Sequence, residues 1–266
     1  MTIAGSDPGG GAGLQADLKT FAALRVYGFS VITAVIAQNS TQLARLDPVD
    51  PSLVAAQLEI IVAERRPDSL KTGALASAAI VETIAEAIRV LRLPAPVVDP
   101  VMVSSSGGRL LDLRGERMLR ERLLPLARIV TPNIPEAEAL SGLAIDGPEA
   151  MRAAARAIRR LGVRTVVIKG GHPFTREGGA GSDRPAKSAD LYYDGRKFVE
   201  FVGARIPGGG AHGTGCAFAA AIAAWLARGV DLETAVRRAK SFVARALHNG
   251  FTFGAGRTLL DHFARK

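Results

Sequence analysis

The sequence predicts an α/β fold in which helices cover both faces of a mostly parallel central sheet. Short runs of β-branched and other apolar residues alternate with helical patterns along most of the chain. Continuous apolar strands separated by helices are typical of parallel sheets that are buried on both faces. The chain has 266 residues, of which 48% are hydrophobic, so one large core can form. We therefore expect a single domain over residues 1–266, since no linker or internal repeat divides the sequence.

Strand and helix signals support this fold class along the chain. Short apolar runs are candidate strands: 31–36, 69–72, 96–99, 128–131 and 165–169. Longer segments between and around them are candidate helices: 12–25, 51–65, 77–91, 115–126, 134–141 and 148–161. Pro51 and Pro148 stand where the first turn of a helix accepts proline, and Gly162 follows the last of these helices as a terminating glycine.

The C-terminal third departs from this alternation. Asp194-Gly195 lies between two apolar runs, 191–193 and 197–202, which predicts a β-hairpin. The polar segment 172–190 before the hairpin contains several glycines and prolines and predicts a long loop. Two consecutive helices are expected near the end of the chain: 214–228 and 232–248.

Composition and charge limit the classes of partner. The net charge is +9, but the basic residues are scattered along helices such as 151–160, as on a solvated helix face. Aromatic residues make up 5% of the chain, too few for a base-stacking platform, so we expect no nucleic-acid partner. No apolar run reaches the roughly 18 residues of a membrane-spanning helix, and no secretory signal is found. The single cysteine, Cys216, cannot form an internal disulfide, which fits a cytoplasmic location.

The first glycine-rich segment, GSDPGGGAG from Gly5 to Gly13, lies between a short strand and a helix. The spacing of Gly5 and Gly10 resembles the start of a phosphate-binding P-loop. However, Gly11 and Ala12 stand where that motif needs lysine and then serine or threonine. Since this loop supplies no such lysine, the sequence predicts that it is not a P-loop.

A second glycine pattern, Gly208-x-Gly210-x-x-Gly213, matches the dinucleotide-binding fingerprint, with an acidic residue, Glu233, further along the chain. That fingerprint requires a helix and then a parallel strand that carries the acidic residue. Here one helix follows another, and Glu233 opens the second helix, next to a cap expected at Asp231. The sequence therefore disfavours NAD binding.

The residues Gly213-Thr214-Gly215-Cys216 enter an apolar helix. Free N–H groups at a helix start bind anions, and they suit phosphoryl oxygens on which negative charge develops. The same positive field lowers a thiol pKa from its usual value of about 8.5, so Cys216 is a candidate base for a substrate hydroxyl. Alternatively, Cys216 is a small buried apolar residue at the helix start.

Polar residues follow several candidate strands, at the sheet edge where ligands bind in open parallel sheets. They are Asp7, Gln38, Asn39, Lys71, Asp99, Thr131, Asn133 and Lys169. Asp99 at one strand end and Glu136 in a helix could hold Mg²⁺ through water molecules. Alternatively, Glu136 stabilises the N-terminus of its own helix. Lys169 could reach a nucleotide phosphate.

Five longer motifs occur in order along the chain: AGSDPGGGAGLQADLKTFAALRVYGFSVITAVIAQNS, VVDPVMVSSSG, VTPNIPEAEAL, IKGGH and HGTGC. In order and separation they resemble the hydroxymethylpyrimidine/phosphomethylpyrimidine kinases of thiamine biosynthesis, which belong to the ribokinase-like superfamily. The resemblance covers nearly the whole chain and implies a three-layer α/β/α sandwich. It also implies two ATP-dependent transfers, first to the hydroxymethyl group of 4-amino-5-hydroxymethyl-2-methylpyrimidine and then to the monophosphate, which yields the diphosphate.

The resemblance implies that Gly5, Asp17 and Gln38 lie at the pyrimidine. An amide such as Gln38 can donate to and accept from an aminopyrimidine edge, and relatives that prefer pyridoxal usually differ at this position. Ala74 departs from the family pattern, which usually has methionine there, and thereby removes bulk from the expected substrate pocket. A related kinase acting on pyridoxal therefore stays open as an alternative, as does a binding protein without catalytic turnover.

The resemblance also implies the residues of phosphate transfer. Gly213 and Gly215 would form the anion hole, and Cys216 would be the base. Five residues would lie at the nucleotide and its ion: Lys169, Thr214 and Lys240 near ATP, and Asp99 and Glu136 near Mg²⁺. The expected partners are the pyrimidine and ATP, without a membrane, in a homo-oligomer that we expect to be a dimer. The hairpin is a candidate contact of that oligomer, and segment 172–190 a candidate flap over the phosphates.

Overall fold

A computed structural model describes residues 1–39, 41–104, 107–170, 187–204, 211–253 and 256–264. The described residues form a nine-stranded sheet in the order β3-β2-β1-β4-β5-β6-β7-β8-β9. Its strands are β1 (Thr2–Ser6), β2 (Ser30–Gln38), β3 (Leu43–Pro48), β4 (Lys71–Thr72), β5 (Val97–Val98), β6 (Ile129–Val130), β7 (Val166–Ile168), β8 (Lys187–Tyr193) and β9 (Phe198–Ala204). In this sheet order, the neighbouring strands β2-β1-β4-β5-β6-β7 are parallel. β3 is antiparallel to β2, β8 to β7, and β9 to β8. The predicted mostly parallel sheet is confirmed.

Eight α-helices are found in the described part of the chain. They are α1 (Gly13–Ala23), α2 (Pro51–Glu64), α3 (Ala78–Val90), α4 (Leu113–Met118), α5 (Ile134–Ser141), α6 (Pro148–Arg159), α7 (Thr214–Ala227) and α8 (Leu232–His248). Every predicted helix is present, but 115–126 is not one α-helix. A π-helical turn (Leu119–Leu123) and a 3-10 turn (Leu124–Leu126) follow α4, because Pro125 cannot continue regular α-helical hydrogen bonding.

The helices pack on both faces of the sheet and complete three layers. Val97 belongs to a buried cluster with apolar residues of α1, α7 and α8, such as Phe21 and Ile222. Its neighbour Val98 points to the opposite face and belongs to a larger cluster with helices α2 to α6, for example through Ile84. Successive residues of a strand point to opposite faces, so even these short strands connect both cores. None of the helices just described is long and apolar enough to cross a membrane.

Local signals explain several boundaries. Pro51 and Pro148 occupy the first turns of α2 and α6, as predicted. The Asp231 side chain accepts a hydrogen bond from the Thr234 N–H at 3.0 Å and caps α8. The hairpin between β8 and β9 turns at Asp194-Gly195, where the glycine has φ +94.

Two features of the fold differ from the prediction. β3 is an antiparallel edge strand that the charged and proline-containing segment LARLDP does not reveal. A small sheet of β10 (Ala211–His212), β12 (Thr258–Leu259) and β11 (Phe251–Thr252) is built from two-residue strands, which are too short for a periodic pattern. Of the predicted loop 172–190, residues 187–190 belong to β8, and 172–186 lie outside the described residues. Gly208 and Gly210 of the second glycine pattern also lie outside them.

Candidate active site

A cavity of about 1700 Å³ opens at the edge of the large sheet where the parallel strands end. Residues that follow neighbouring parallel strands meet there, as the sequence predicts. The predicted site residues that line the cavity are Gly5, Gln38, Asp99, Glu136, Lys169, Gly213, Thr214, Gly215, Cys216 and Lys240. Of the predicted set, only Asp17 lies elsewhere. One cavity therefore contains the residues proposed for the acceptor, the phosphates and the metal.

Asp7 connects the first glycine loop to the start of α7. Its Oδ1 accepts from the Gly9 N–H at 3.0 Å, and its Oδ2 accepts from the Ala12 N–H at 2.8 Å. Oδ2 also lies 3.0 Å from Nε2 of His212. Burial alone would raise the pKa of Asp7, but the His212 and backbone hydrogen bonds outweigh burial, so this pKa is lowered. The carboxylate stays charged and holds the two segments together.

Two glycines allow close approach of the backbone here: Gly213 between the two segments and Gly13 within the first glycine loop. Gly213 has φ +81 and Gly13 has φ +56, in the left-handed region that favours glycine. A Cβ on Gly213 would collide with the carbonyl oxygen of Gly11, and a Cβ on Gly13 would collide with that of Gly5. The first glycine loop therefore packs its backbone against the residues that open α7.

Residues 213–216, which we name the GTGC turn, begin α7. Gly213 immediately precedes the helix, and the next three residues form its first turn, whose N–H groups have no acceptor within the helix. All four residues line the cavity. The turn therefore presents N–H donors and the positive end of the helix to a bound anion.

The expectation of a lowered pKa at Cys216 is wrong for the free protein. Burial is the largest cause of a raised value; Lys71 opposes it, Asp99 and Asp17 add to it, and the pKa of Cys216 rises to about 12. A hydrogen bond from the Gly13 N–H lowers the value only in part. Removal of the thiol from water outweighs the helix field, so the free protein holds a protonated thiol at neutral pH.

An ion pair lies beside the GTGC turn. Lys169 Nζ donates to Asp99 Oδ1 at 3.0 Å, and the two side chains are 19% and 3% exposed. A Cβ on Gly215 would lie 3.0 Å from the Lys169 Nζ, so the pair faces the turn directly. Burial alone would lower the pKa of Lys169, but Asp99 and Glu136 outweigh it and this pKa is raised. Lys169 therefore carries a positive charge at the cavity wall.

Glu136 both caps its own helix and faces the cavity. Its Oε2 accepts from the Asn133 N–H at 2.8 Å, and the Asn133 Oδ1 accepts from the Glu136 N–H at 2.9 Å, which is a capping box. Burial, opposed by Lys169 and reinforced by Asp99, raises the pKa of Glu136 to about 7. A cation near Asp99 and Glu136 would offset the repulsion between the two carboxylates.

Lys240 reaches the cavity from α8. Its Nζ donates to Asp190 Oδ2 at 2.7 Å, and Asp190 Oδ1 accepts from the Gly170 N–H at 3.1 Å. Sequence reasoning missed Asp190, because it assigned this residue to a loop rather than to β8. The strand pairing of β7 with β8 brings Asp190 to the cavity, and no local motif signals that pairing.

The opposite end of the cavity is lined by small and apolar residues around one amide. Gln38 is the last residue of β2 there. Gly5 packs against Ile36, whose Cδ1 would lie 2.9 Å from a Cβ on Gly5. Ala74 also lines this end, and its carbonyl oxygen accepts from Thr33 Oγ1 at 2.6 Å. These residues leave room for a flat ring, with Gln38 as a donor and acceptor.

The structure does not place Asp17 at the cavity wall. Asp17 and Lys71 are both 0% exposed, and Lys71 Nζ lies 2.7 Å from Asp17 Oδ2. Thr2 Oγ1 donates to the same oxygen at 2.6 Å. The side chain of Asp17 lies between α1 and the sheet, so the expected contact with the pyrimidine is corrected to a buried ion pair.

Comparison with known proteins gives consistent matches. A family model described as phosphomethylpyrimidine kinase matches residues 7–261. The thiamine biosynthesis bifunctional protein ThiED of Geobacter sulfurreducens is 45% identical over 98% of this chain, which spans only 51% of that relative. The hydroxymethylpyrimidine/phosphomethylpyrimidine kinase of Synechococcus elongatus is 43% identical, over 99% of this chain and 96% of its own length. The structure of pyridoxal kinase from Staphylococcus aureus in complex with AMP-PCP and pyridoxal matches with a TM-score of 0.85 and 37% identity, over 99% of this chain and 92% of that one.

Proposed function

This chain belongs to the phosphomethylpyrimidine kinase family, and on that premise we propose a specific pair of reactions. The chain transfers phosphate from ATP to 4-amino-5-hydroxymethyl-2-methylpyrimidine and then to the resulting monophosphate, as a step of thiamine biosynthesis. One observation carries the proposal. The GTGC turn shares a single cavity with Gln38, which we propose for the acceptor, and with Lys169 and Lys240, which we propose for the nucleotide.

The first transfer has an alcohol as its acceptor. The hydroxymethyl oxygen attacks the γ-phosphorus of ATP, the bond to the β–γ bridging oxygen breaks, and ADP leaves with that electron pair. The hydroxyl proton passes to the Cys216 thiolate. The N–H groups of the GTGC turn and the Lys169 ammonium stabilise the charge on the transferred phosphoryl oxygens.

The second transfer needs no base. Its acceptor is a phosphate, which is already ionised near neutral pH. The N–H groups of the GTGC turn and Lys169 then carry the reaction through positioning and charge stabilisation alone. Cys216 is therefore expected to matter mainly for the alcohol.

Asp99 and Glu136 fit a magnesium site. They are two buried oxygen donors; burial first, and then the neighbouring Asp99, raise the pKa of Glu136. Mg²⁺ retains several water ligands and binds through one or two carboxylates and substrate phosphates, so no further protein ligand is needed. When bound, Mg²⁺ supplies positive charge to the ATP phosphates.

The same residues connect Cys216 to the bound state. Asp99 is one of the groups that raise the pKa of Cys216, so a cation held by Asp99 offsets that contribution. The thiol is protonated in the free protein; charge compensation in the loaded cavity would favour release of its proton to solvent, which leaves the thiolate that accepts the hydroxyl proton. Thiolate formation then coincides with substrate binding.

Pyridoxal is the second candidate acceptor, and one observation favours it. Ala74 lines the cavity, where its small side chain leaves room for a larger acceptor. The fold matches a pyridoxal kinase over nearly the whole chain. Gln38, which suits an aminopyrimidine edge, keeps the pyrimidine as the first proposal.

We further propose that residues 1–266 act as one domain, in the cytoplasm, and as a homodimer in which the β8–β9 hairpin is a candidate contact. Equilibrium sedimentation measures the assembly directly. We expect a mass of about twice the 27.8 kDa of the chain; a mass equal to that of the chain would contradict the dimer.

ADP release measured with each acceptor in turn tests the proposed activity. We expect turnover with the pyrimidine and with its monophosphate, and a higher kcat/KM for the pyrimidine than for pyridoxal. The variant Gln38→Leu, which keeps side-chain size but loses the amide, should reduce pyrimidine turnover more than ATP affinity. A higher kcat/KM for pyridoxal would defeat the proposal, and tight pyrimidine binding without ADP release would favour a binding protein.

A further inference from the structure

The buried Asp17–Lys71 pair lies directly beneath the catalytic end of α7. Lys71 is in register with Val97 across β4 and β5, so both point to the face of the sheet that α1 and α7 cover. Asp17 contacts Lys71 from α1. Cys216, in the first turn of α7, accepts a hydrogen bond from the N–H of Gly13, which lies one helical turn before Asp17 on the same side of α1. The ion pair is thus about one turn deeper than the thiol.

The Lys71 ammonium also lies close under the cavity floor. A Cβ on Gly73 would be 2.6 Å from Lys71 Nζ, and the next residue, Ala74, lines the cavity. Lys71 itself is fully buried, so the surrounding side chains fix its position. The ammonium cannot reach a substrate, but it lies near both Cys216 and the acceptor end.

A purely structural role explains this pair poorly. Buried ion pairs are weak contributors to stability, because desolvation of both charges offsets their attraction. Here hydrogen bonds compensate the desolvation only in part, because Asp17 Oδ1 has no hydrogen-bond partner in the described part of the chain. Two apolar side chains of similar volume could fill the same space at lower cost, so the positive charge itself calls for an explanation.

We propose that Lys71 is a positioning residue for Cys216: its ammonium, held in place by Asp17, is a fixed positive charge beneath the thiol that favours the thiolate. This inference deepens the proposed function and assumes that Cys216 receives the hydroxyl proton. Lys71 keeps its own proton throughout, so no proton transfer passes through it. The Lys71 ammonium acts on Cys216 only through its charge.

The charges around Cys216 support this assignment. Lys71 is the largest influence that lowers the pKa of the thiol, and Asp99 and Asp17 oppose it. Asp99 in turn interacts with Lys169, which follows β7, and with Glu136 of α5. Burial alone would lower the pKa of Lys71, but Asp17, Cys216 and Asp99 outweigh burial and raise it, so the ammonium persists at neutral pH.

Alkylation of the thiol tests the proposal without any substrate. Cys216 is the only cysteine of the chain, so modification by iodoacetamide reports on this thiol alone, and in folded variants its rate follows the thiolate fraction. The matched variants are Asp17→Asn and the double variant Asp17→Asn with Lys71→Met, which differ only in the Lys71 charge. Between pH 7 and 9, we expect the double variant to react about tenfold more slowly than Asp17→Asn, because one pKa unit changes the thiolate fraction tenfold.

Folding of each variant is checked by cooperative thermal unfolding. If Asp17→Asn alone does not fold, the double variant, which buries no unpaired charge, is compared with the wild type and should again react more slowly. Once cooperative unfolding shows that the double variant is as compact as its reference, an equal or faster rate of alkylation would overturn the proposal. Because the measurement needs no acceptor, this result is independent of whether the pyrimidine or pyridoxal is the substrate.

Discussion

The Asp17–Lys71 pair and the Asp99–Lys169 pair join the same two chemical groups at similar distances, 2.7 and 3.0 Å. Their surroundings differ. Both side chains of the first pair are 0% exposed, whereas Lys169 of the second pair is 19% exposed at the cavity wall. We refer to them as the closed pair and the open pair.

The difference in exposure separates two uses of one interaction. Neither member of the closed pair can change partner without leaving a charge buried in the core, so the pair supplies a constant field. The open pair lines the cavity, and we expect Lys169 to exchange Asp99 for a phosphate and Asp99 to exchange Lys169 for a cation when ligands bind. We therefore expect the closed pair to affect the free energy of unfolding and the thiolate fraction of Cys216. The open pair should affect ligand binding and turnover.

Breaking the closed pair should give the largest effect on stability. Lys71→Met leaves the Asp17 carboxylate buried without its partner, so we expect a loss of about 3–5 kcal/mol in the free energy of unfolding. Lys169→Met should cost less than Lys71→Met, because Lys169 is 19% exposed and Asp99 lines the cavity. Urea unfolding of both variants measures the contrast. Similar losses for the two variants would remove the distinction between closed and open pairs.

For catalysis we expect the opposite contrast, with the open pair contributing more to turnover than the closed pair. Removing a positive group that stabilises transferred phosphoryl oxygens typically costs about 10²–10³-fold in rate, and we expect Lys169→Met to lower kcat/KM by at least about 10²-fold. Lys197→Met is the control, since Lys197 forms an exposed ion pair with Glu233 on the surface. Steady-state ADP release measures both variants, and a loss of less than about threefold for Lys169→Met would contradict a role at the phosphates.

Glu136 should make the stability of the open region depend on pH. Its pKa rises from an ordinary 4.5 to about 7 on folding, so between these values the folded state binds more protons than the unfolded state. Stability must then fall as pH rises from 4.5 to 7, by about 3 kcal/mol for this group. Urea unfolding with a chelator present measures the effect. Glu136→Gln should flatten the curve, and an unchanged slope in this variant would assign the dependence to another group.

We expect a smaller effect on the kinetics from the Asp190–Lys240 pair, which lies at the proposed nucleotide end of the cavity. Lys240→Met removes one hydrogen-bonded charge near ATP, so we expect KM for ATP to rise about fivefold, or about 1 kcal/mol, with little change in kcat. Titration of ATP at saturating acceptor separates the two parameters. A fall in kcat with an unchanged KM would place Lys240 in the transfer step instead.

The comparison also shows what the sequence could predict. Caps and turns are local signals, so the helices that begin at Pro51, Pro148 and Leu232 and the turn at Asp194-Gly195 were predictable. The convergence of Asp99 and Lys169 follows from the rule that parallel strands end at one edge. These features need only the order of the elements and not their packing.

Other features depend on packing and could not be predicted. Whether Asp17 faces the cavity or the sheet depends on how α1 is rotated about its axis, and the structure turns it to Lys71. The direction of the Cys216 pKa shift depends on burial, which outweighs the helix field that the sequence makes visible. Asp190 reaches Lys240 only through the antiparallel addition of β8.

The two acceptors assayed with Cys216→Ala test the central claim most directly, namely that the cavity transfers phosphate to an alcohol through Cys216 and to a phosphate without it. General-base catalysis contributes about 10²–10⁴-fold, so we expect a loss of that size for the hydroxymethylpyrimidine. The monophosphate should lose less than about tenfold, since its acceptor oxygen is already ionised. Equal losses with both acceptors would contradict the account and would assign Cys216 to the shape of the GTGC turn.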